Sequence, residues 1–172
     1  MQKFDICVIG VGTVGAFAGY YLAKKGLKTA LVDIYSPPHD KGSYHGDTRI
    51  FRIAYGEGEK YIPMLKRAFD LWGEFEKETD TKLFERCGVI NIGHKNSDFM
   101  INIIKSVNDY KLDCEIIDKK EIEERYNFFV PNDFIGVYEK NTGYVYSDKS
   151  IITASNEAKK LGAKEYYNEE IT

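Results

Sequence analysis

Phe4-Asp5-Ile6-Cys7-Val8-Ile9-Gly10-Val11-Gly12-Thr13-Val14-Gly15 begins a stretch, closing at Asp33, whose reading decides the fold. Residues 4–9 are a short apolar run with one acid, the composition of a strand buried on both faces. The run enters a G-x-G-x-x-G at Gly10, Gly12 and Gly15, the spacing of a dinucleotide-binding turn. In such a turn Gly10 allows the tight exit from the strand, and Gly12 lets the backbone approach a pyrophosphate. Gly15 lets the next helix lie close on the sheet. That helix has its own support, because Val14, Phe17, Ala18, Tyr21 and Leu22 form one apolar stripe. Lys24 and Lys25 suit its last turn, and Gly26 suits a left-handed stop.

Residues 29–32 then form a second strand ending at Asp33, about twenty residues beyond the glycines, where a carboxylate accepts from ribose hydroxyls. No arginine follows Asp33 directly, so FAD or NAD is expected rather than NADP. The competing reading is a glycine-rich strand-to-helix turn that holds nothing. The strand, helix and acid in their required places weigh against it.

The 172 residues suit one domain or part of a two-domain protein. An apolar fraction of 43%, with 13 tyrosines and 10 phenylalanines, is enough for a sizeable core. Lys and Arg total 24 against 27 acids, and no basic patch carries interleaved aromatics, so no nucleic acid partner is expected. Cys7, Cys87 and Cys114 are far apart and form no C-x-x-C pair, so neither disulfide nor metal frameworks are expected. Cys7 reads as a small core residue, and the cysteine usage fits a reducing cytoplasm. Residues 6–22 are apolar enough to imitate a signal peptide or membrane span. Asp5, the interrupting glycines and the change of period at the turn argue for cytosolic fold instead.

Residues 34–47 lack periodicity and form a long loop after the second strand, where Gly42 and Ser43 can donate to a phosphate. A solvated surface loop has equal support from composition. Next comes Tyr44-His45-Gly46-Asp47-Thr48-Arg49-Ile50-Phe51-Arg52. If Asp47 or Thr48 caps a helical turn, Arg49 and Arg52 share a face and make an anion site with His45; on a strand they point oppositely. The alternative is a pair of solvated arginines, or arginines paired with Glu57 and Glu59.

The glycine turn, Pro37-Pro38-His39, residues 42–52 and Ala54-Tyr55-Gly56-Glu57-Gly58 together resemble the amino-terminal part of the monomeric sarcosine oxidase and N-methyltryptophan oxidase family. Those enzymes are D-amino-acid-oxidase-like FAD oxidoreductases, and the resemblance runs through the whole chain. It implies FAD as cofactor, with Gly10, Gly12, Gly15, Asp33, Gly42 and Ser43 as its binding residues. It also implies oxidation of a secondary amine such as sarcosine or another N-methyl amino acid, with oxygen as co-substrate and peroxide as product. Arg52 would pair with the substrate carboxylate, and His45 and Arg49 would serve the flavin ring. The family's polypeptide continues well beyond this length. The lysine that activates oxygen, the second carboxylate-binding cation and the flavin-attaching cysteine have no candidates here. A separately supplied carboxyl-terminal half is therefore an expected partner, and the alternatives are a non-catalytic product or an NAD-dependent Rossmann dehydrogenase.

Further along, residues 59–79 read as a helix with Trp72 in the core, and residues 83–92 as a strand pair. Residues 99–110 and 119–125 read as helices. Residues 135–139 and 144–146 suggest a hairpin, and Ser147 or Asp148 a cap for a last helix stopped by Gly162. The expected architecture is α/β: a Rossmann-like FAD-binding βαβ unit plus the start of a second α+β substrate domain with a mixed or antiparallel sheet. Residues 1–82 and 148–172 are assigned to the first, and residues 83–147 to the second.

Overall fold

A computed structural model describes residues 2–171. Along the chain run β1 (Ile6–Ile9), α1 (Thr13–Lys24), β2 (Thr29–Asp33) and β3 (Thr48–Phe51). A 3₁₀ turn at Glu59–Tyr61 leads into α2 (Ile62–Thr79), β4 (Phe84–Glu85), β5 (Val89–His94) and α3 (Asp98–Tyr110). Then come β6 (Cys114–Ile117), α4 (Lys119–Tyr126), β7 (Phe134–Glu139), β8 (Gly143–Tyr146), α5 (Ser147–Lys160) and β9 (Lys164–Tyr167).

The chain folds into two compact units. The first holds Met1–Arg49, Glu76–Leu83 and Val145–Thr172; the second holds Ile50–Phe75 and Phe84–Tyr144. Positions 1 and 172, the outer limits of the expected first domain, lie outside the described residues. Residues 50–75 fall in the second unit, whereas the sequence placed them in the first. The reason is that the chain crosses over within β3, well before α2 begins.

In the first unit, parallel strands run in the order β1-β2-β9, with α1 and α5 packed together. β2 is buried along its length, as the central strand of a parallel sheet should be. β1 is not. Its residues alternate between half-buried and exposed, because side chains alternate between the strand's two faces and α1 packs on one of them. Val8 faces Gly15 of α1, whereas Cys7 is exposed and Ile9 is 71% exposed on the other face. Cys7 is thus a surface thiol and not the core residue expected. α5 lacks a side-chain cap; Ser147 is its first residue and donates its hydroxyl to the carbonyl of Gly46.

In the second unit β7 is central to an antiparallel sheet, flanked by β5 and β6. The hairpin expected between β7 and the strand after it does not form, because both edges of β7 are already taken. Met100, Ile103 and Val107 of α3 close a core with Ala54 and Val137. Helix ends follow local chemistry. Ser97 caps α3, and Asp118 with Glu121 makes a full capping box on α4. Trp72 is half-buried rather than fully in the core.

Candidate functional site

The glycine turn is built as a cradle. Gly10 sits at φ +87°, a conformation that opens the way from β1 into α1 without a side-chain penalty. Gly15 lies directly against the backbone of Gly10, so any side chain there would lift α1 away. Asp33, 7% exposed at the end of β2, holds the two loops in place. Its Oδ2 accepts from the Val11 N–H at 2.6 Å, and its Oδ1 from the Tyr35 N–H at 2.9 Å. A carboxylate has about four lone-pair sites, so two remain for a ligand's hydroxyls.

A cleft of about 390 Å³ opens at this point. Gly10, Gly12, Gly15, Asp33, Gly42 and Ser43, the six residues named from the sequence for cofactor binding, all line it. Among the other residues lining it are Tyr44 and His39, to which sequence reasoning assigned no role. Tyr44 is 5% exposed, and burial pushes its phenol above the ordinary value. Its ring occupies the space that side chains at Gly12 and Gly42 would need. His39 packs beside Tyr35 and Tyr44, at ring separations of 5.0 and 5.6 Å, and its backbone N–H donates to the Tyr44 hydroxyl. The available signal was Gly42 two residues before an aromatic in a long loop, a glycine that permits close approach of chain segments.

The 47–52 stretch resolves as strand β3, not as a capped helical turn. Arg49 is exposed and binds the loop around it: Nη1 donates to the Thr48 carbonyl at 2.8 Å, and Nη2 to the carbonyls of Ser43 and His45. His45 and Arg49 are thereby brought together, while Arg52 belongs to the second unit.

In that unit Arg52 pairs with Glu57 at 2.6 Å and lies over the Tyr55 ring, 5.2 Å from its centroid. Its Nε is buried without a hydrogen-bond partner. The turn that follows is fixed by Glu139, 3% exposed on β7, whose Oε2 accepts from the N–H groups of Ile53 at 2.7 Å and Ala54 at 3.0 Å. Asn91 donates to its other oxygen. Burial raises the Glu139 carboxyl above its usual range, partly offset by the Ala54, Ile53 and Asn91 hydrogen bonds and by the Arg52 charge. This carboxylate escaped sequence reasoning because no motif surrounds it. Among the described residues no helix is long and apolar enough to cross a membrane, and no cluster of His, Cys, Asp and Glu is arranged to hold a metal ion.

Comparison with known proteins follows the same lines. The chain is similar to the N-methyl-L-tryptophan oxidase of Salmonella dublin, 39% identical across 99% of this chain and 46% of that protein. It is 45% identical to the N-methyl-L-tryptophan oxidase of Yersinia pestis (strain Pestoides F), over 91% of this chain and 43% of that one. The chain therefore spans about half the length of the curated relatives it matches. Among solved structures, NikD, an amino acid oxidase of nikkomycin biosynthesis, superposes with a TM-score of 0.86 at 18% identity, covering 98% of this chain and 44% of NikD. L-proline dehydrogenase from P. horikoshii gives 0.83 at 20% identity, covering 99% of this chain and 46% of that one. Both likenesses establish the shared fold. A family profile described as FAD dependent oxidoreductase matches residues 5–172, which decides for FAD over NAD. The chain belongs to the FAD dependent oxidoreductase family.

Proposed function

We propose that this chain forms the FAD-binding cleft and part of the substrate site of an oxidase acting on N-methyl amino acids. The observation that carries the proposal is the cleft itself. A glycine turn too tight for side chains is pinned by Asp33, which keeps acceptor capacity for a ribose. These residues fit FAD: the Gly10–Gly15 turn for the pyrophosphate, Asp33 for the ribose, and Gly42 and Ser43 for a phosphate. His45 and Arg49 are assigned to the flavin end, where a cation suits an electron-rich ring. When bound, FAD would supply the two-electron acceptor for the carbon beside the amine and pass those electrons to oxygen, giving peroxide. The imine product would hydrolyse to an aldehyde and an amine.

Arg52 is assigned to the substrate carboxylate. A guanidinium offers a planar fork that matches a carboxylate with two parallel N–H donors. Glu57 now accepts one N–H of that fork, from Nη2 at 2.6 Å. A substrate carboxylate must therefore displace Glu57, which is exposed and is readily moved. The similarity to two N-methyl-L-tryptophan oxidases favours an N-methyl amino acid as the substrate class.

The test is the visible spectrum of the purified chain after incubation with FAD and desalting, followed by peroxide release with N-methyl amino acids when a separately supplied carboxyl-terminal half is added. A retained flavin band and peroxide formation, with Arg52→Ala raising KM by tenfold or more, are the expected results. A colourless chain would refute the cleft assignment. Turnover insensitive to Arg52→Ala would refute the carboxylate assignment.

A further inference from the structure

The His39 ring has one nitrogen spoken for and one idle. Nδ1 accepts a hydrogen bond from the Lys41 N–H at 3.2 Å, so in the neutral ring the proton is assigned to Nε2. Nε2 is buried and has no hydrogen-bond partner among the described residues. The nearest acceptor is Asp33 Oδ1, 3.5 Å away, beyond an ordinary N–H···O bond. The ring cannot easily turn to find another partner. Tyr35 and Tyr44 pack against it, and its backbone is tied to the Tyr44 hydroxyl.

A buried donor held beside a buried acceptor, both lining the same cleft, defines a chemistry. The group that completes it must accept from His39 and donate to Asp33. A hydroxyl does both through one oxygen, and an oxygen about 2.8 Å from each atom can sit over a pair so spaced. A phosphate cannot donate, and it would meet the charge of Asp33.

We propose that His39 is a further cofactor-binding residue, which donates from Nε2 to a ribose hydroxyl that in turn donates to Asp33. The inference rests on the nucleotide assignment of the cleft made above. It makes recognition of the ribose a two-residue device, with Asp33 as acceptor and His39 as donor. It also gives the Pro37-Pro38-His39 loop a task in binding.

The test compares dissociation constants of ADP and 2′,3′-dideoxy-ADP for the full chain, measured by calorimetry, in wild type, His39→Phe and His39→Gln. Phenylalanine keeps a ring between Tyr35 and Tyr44 but has no donor, and glutamine restores an N–H. ADP should bind wild type about 5- to 10-fold more tightly than His39→Phe, the worth of one hydrogen bond. The dideoxy nucleotide should bind both within about twofold, and His39→Gln should recover part of the loss on ADP. Equal weakening of both nucleotides in His39→Phe, or no weakening of either, would overturn the proposal while leaving the nucleotide cleft intact. Wild type that binds neither ADP nor FAD would overturn the cleft assignment, and the proposal with it. Circular dichroism of each variant checks folding, and if His39→Phe is unfolded the His39→Gln comparison decides alone: its ADP preference must survive.

Discussion

Replacing Gly15 by alanine would place a methyl group inside the contact distance of the Gly10 carbonyl oxygen. The same methyl would lie 2.9 Å from the Gly10 carbonyl carbon and 3.3 Å from Val8 Cγ1. Carbon and oxygen atoms rest at roughly 3 Å or more from each other, so relieving the closest contact would take a retreat of α1 by about one ångström or more. It is not free to do so, because Gly19 on the same helix is also in close contact with the Leu31 side chain of the buried strand β2. The worst clash is with backbone, so no rotamer change relieves it. Overpacking of this kind costs about 1–3 kcal/mol, and the rigid partner places Gly15→Ala near 3 kcal/mol. Gly10→Ala is the natural control. Its Cβ would meet nothing within 4 Å, and its cost is that of φ +87°, about 1–2 kcal/mol. With a urea slope near 2 kcal/mol/M, Gly15→Ala should lower the unfolding midpoint by about 1.5 M and Gly10→Ala by about half as much. Urea titration followed by far-ultraviolet circular dichroism measures both. A Gly15→Ala midpoint equal to wild type, or above that of Gly10→Ala, would refute the argument that close helix packing is why glycine is needed there.

Glu139 makes stability depend on pH. Its folded-state pKa is raised above the usual 4.5, so the folded protein holds this proton more tightly than the unfolded chain. Its contribution to stability therefore falls as pH climbs from about 4.5 to the raised value and is level beyond it. Glu139→Gln removes that dependence, and the deficit of the variant should be smaller at about pH 7 than at about pH 4 in paired urea titrations; a deficit that grows with pH would contradict the sign. Cys114 is pushed up to about 12, chiefly by burial, whereas Cys7 and Cys87 are exposed. Iodoacetamide near pH 8 should label Cys7 and Cys87 and spare Cys114, which peptide mass spectrometry will show. On the role proposed for Arg52, Glu57→Gln leaves it without its anion, and KM for an N-methyl amino acid should fall about two- to fivefold in a peroxide assay with the carboxyl-terminal half supplied. An unchanged KM would mean that the ion pair does not compete with substrate.

The strand-glycine-helix-strand opening was legible because each of its signals is local. Turn spacing, an apolar stripe and an acid at the strand end all lie within thirty-odd residues, and all six residues named for cofactor binding line one cleft. Errors came where burial depends on partners far along the chain. Composition made Cys7 a core residue, but exposure was decided by which face of β1 is covered: Val8 lies under α1, and Cys7 points the other way. Adjacent strands suggested a hairpin, yet β7 takes β5 and β6, whose sequences announce no partner. Tyr44, His39 and Glu139 were given no role for a related reason. Their roles arise when a loop folds back over glycines, or when a carboxylate from β7 reaches a turn 85 residues away, and no periodicity encodes either event.

The second duty proposed for Asp33, holding a ribose, constrains anyone who would redesign this protein. In nucleotide-binding folds, preference for a phosphorylated ribose is commonly sought by removing the acid at the end of the second strand and adding an arginine nearby. Here the same carboxylate holds the Val11 and Tyr35 amides, so its removal would loosen the floor of the site together with its selectivity. A successful exchange would have to supply a new acceptor for Val11 first, and only then a cation. Ile34, 49% exposed and lining the cleft, is the position from which to add one. On that assignment, ribose recognition and loop architecture meet in one residue, and they would have to be edited as a pair.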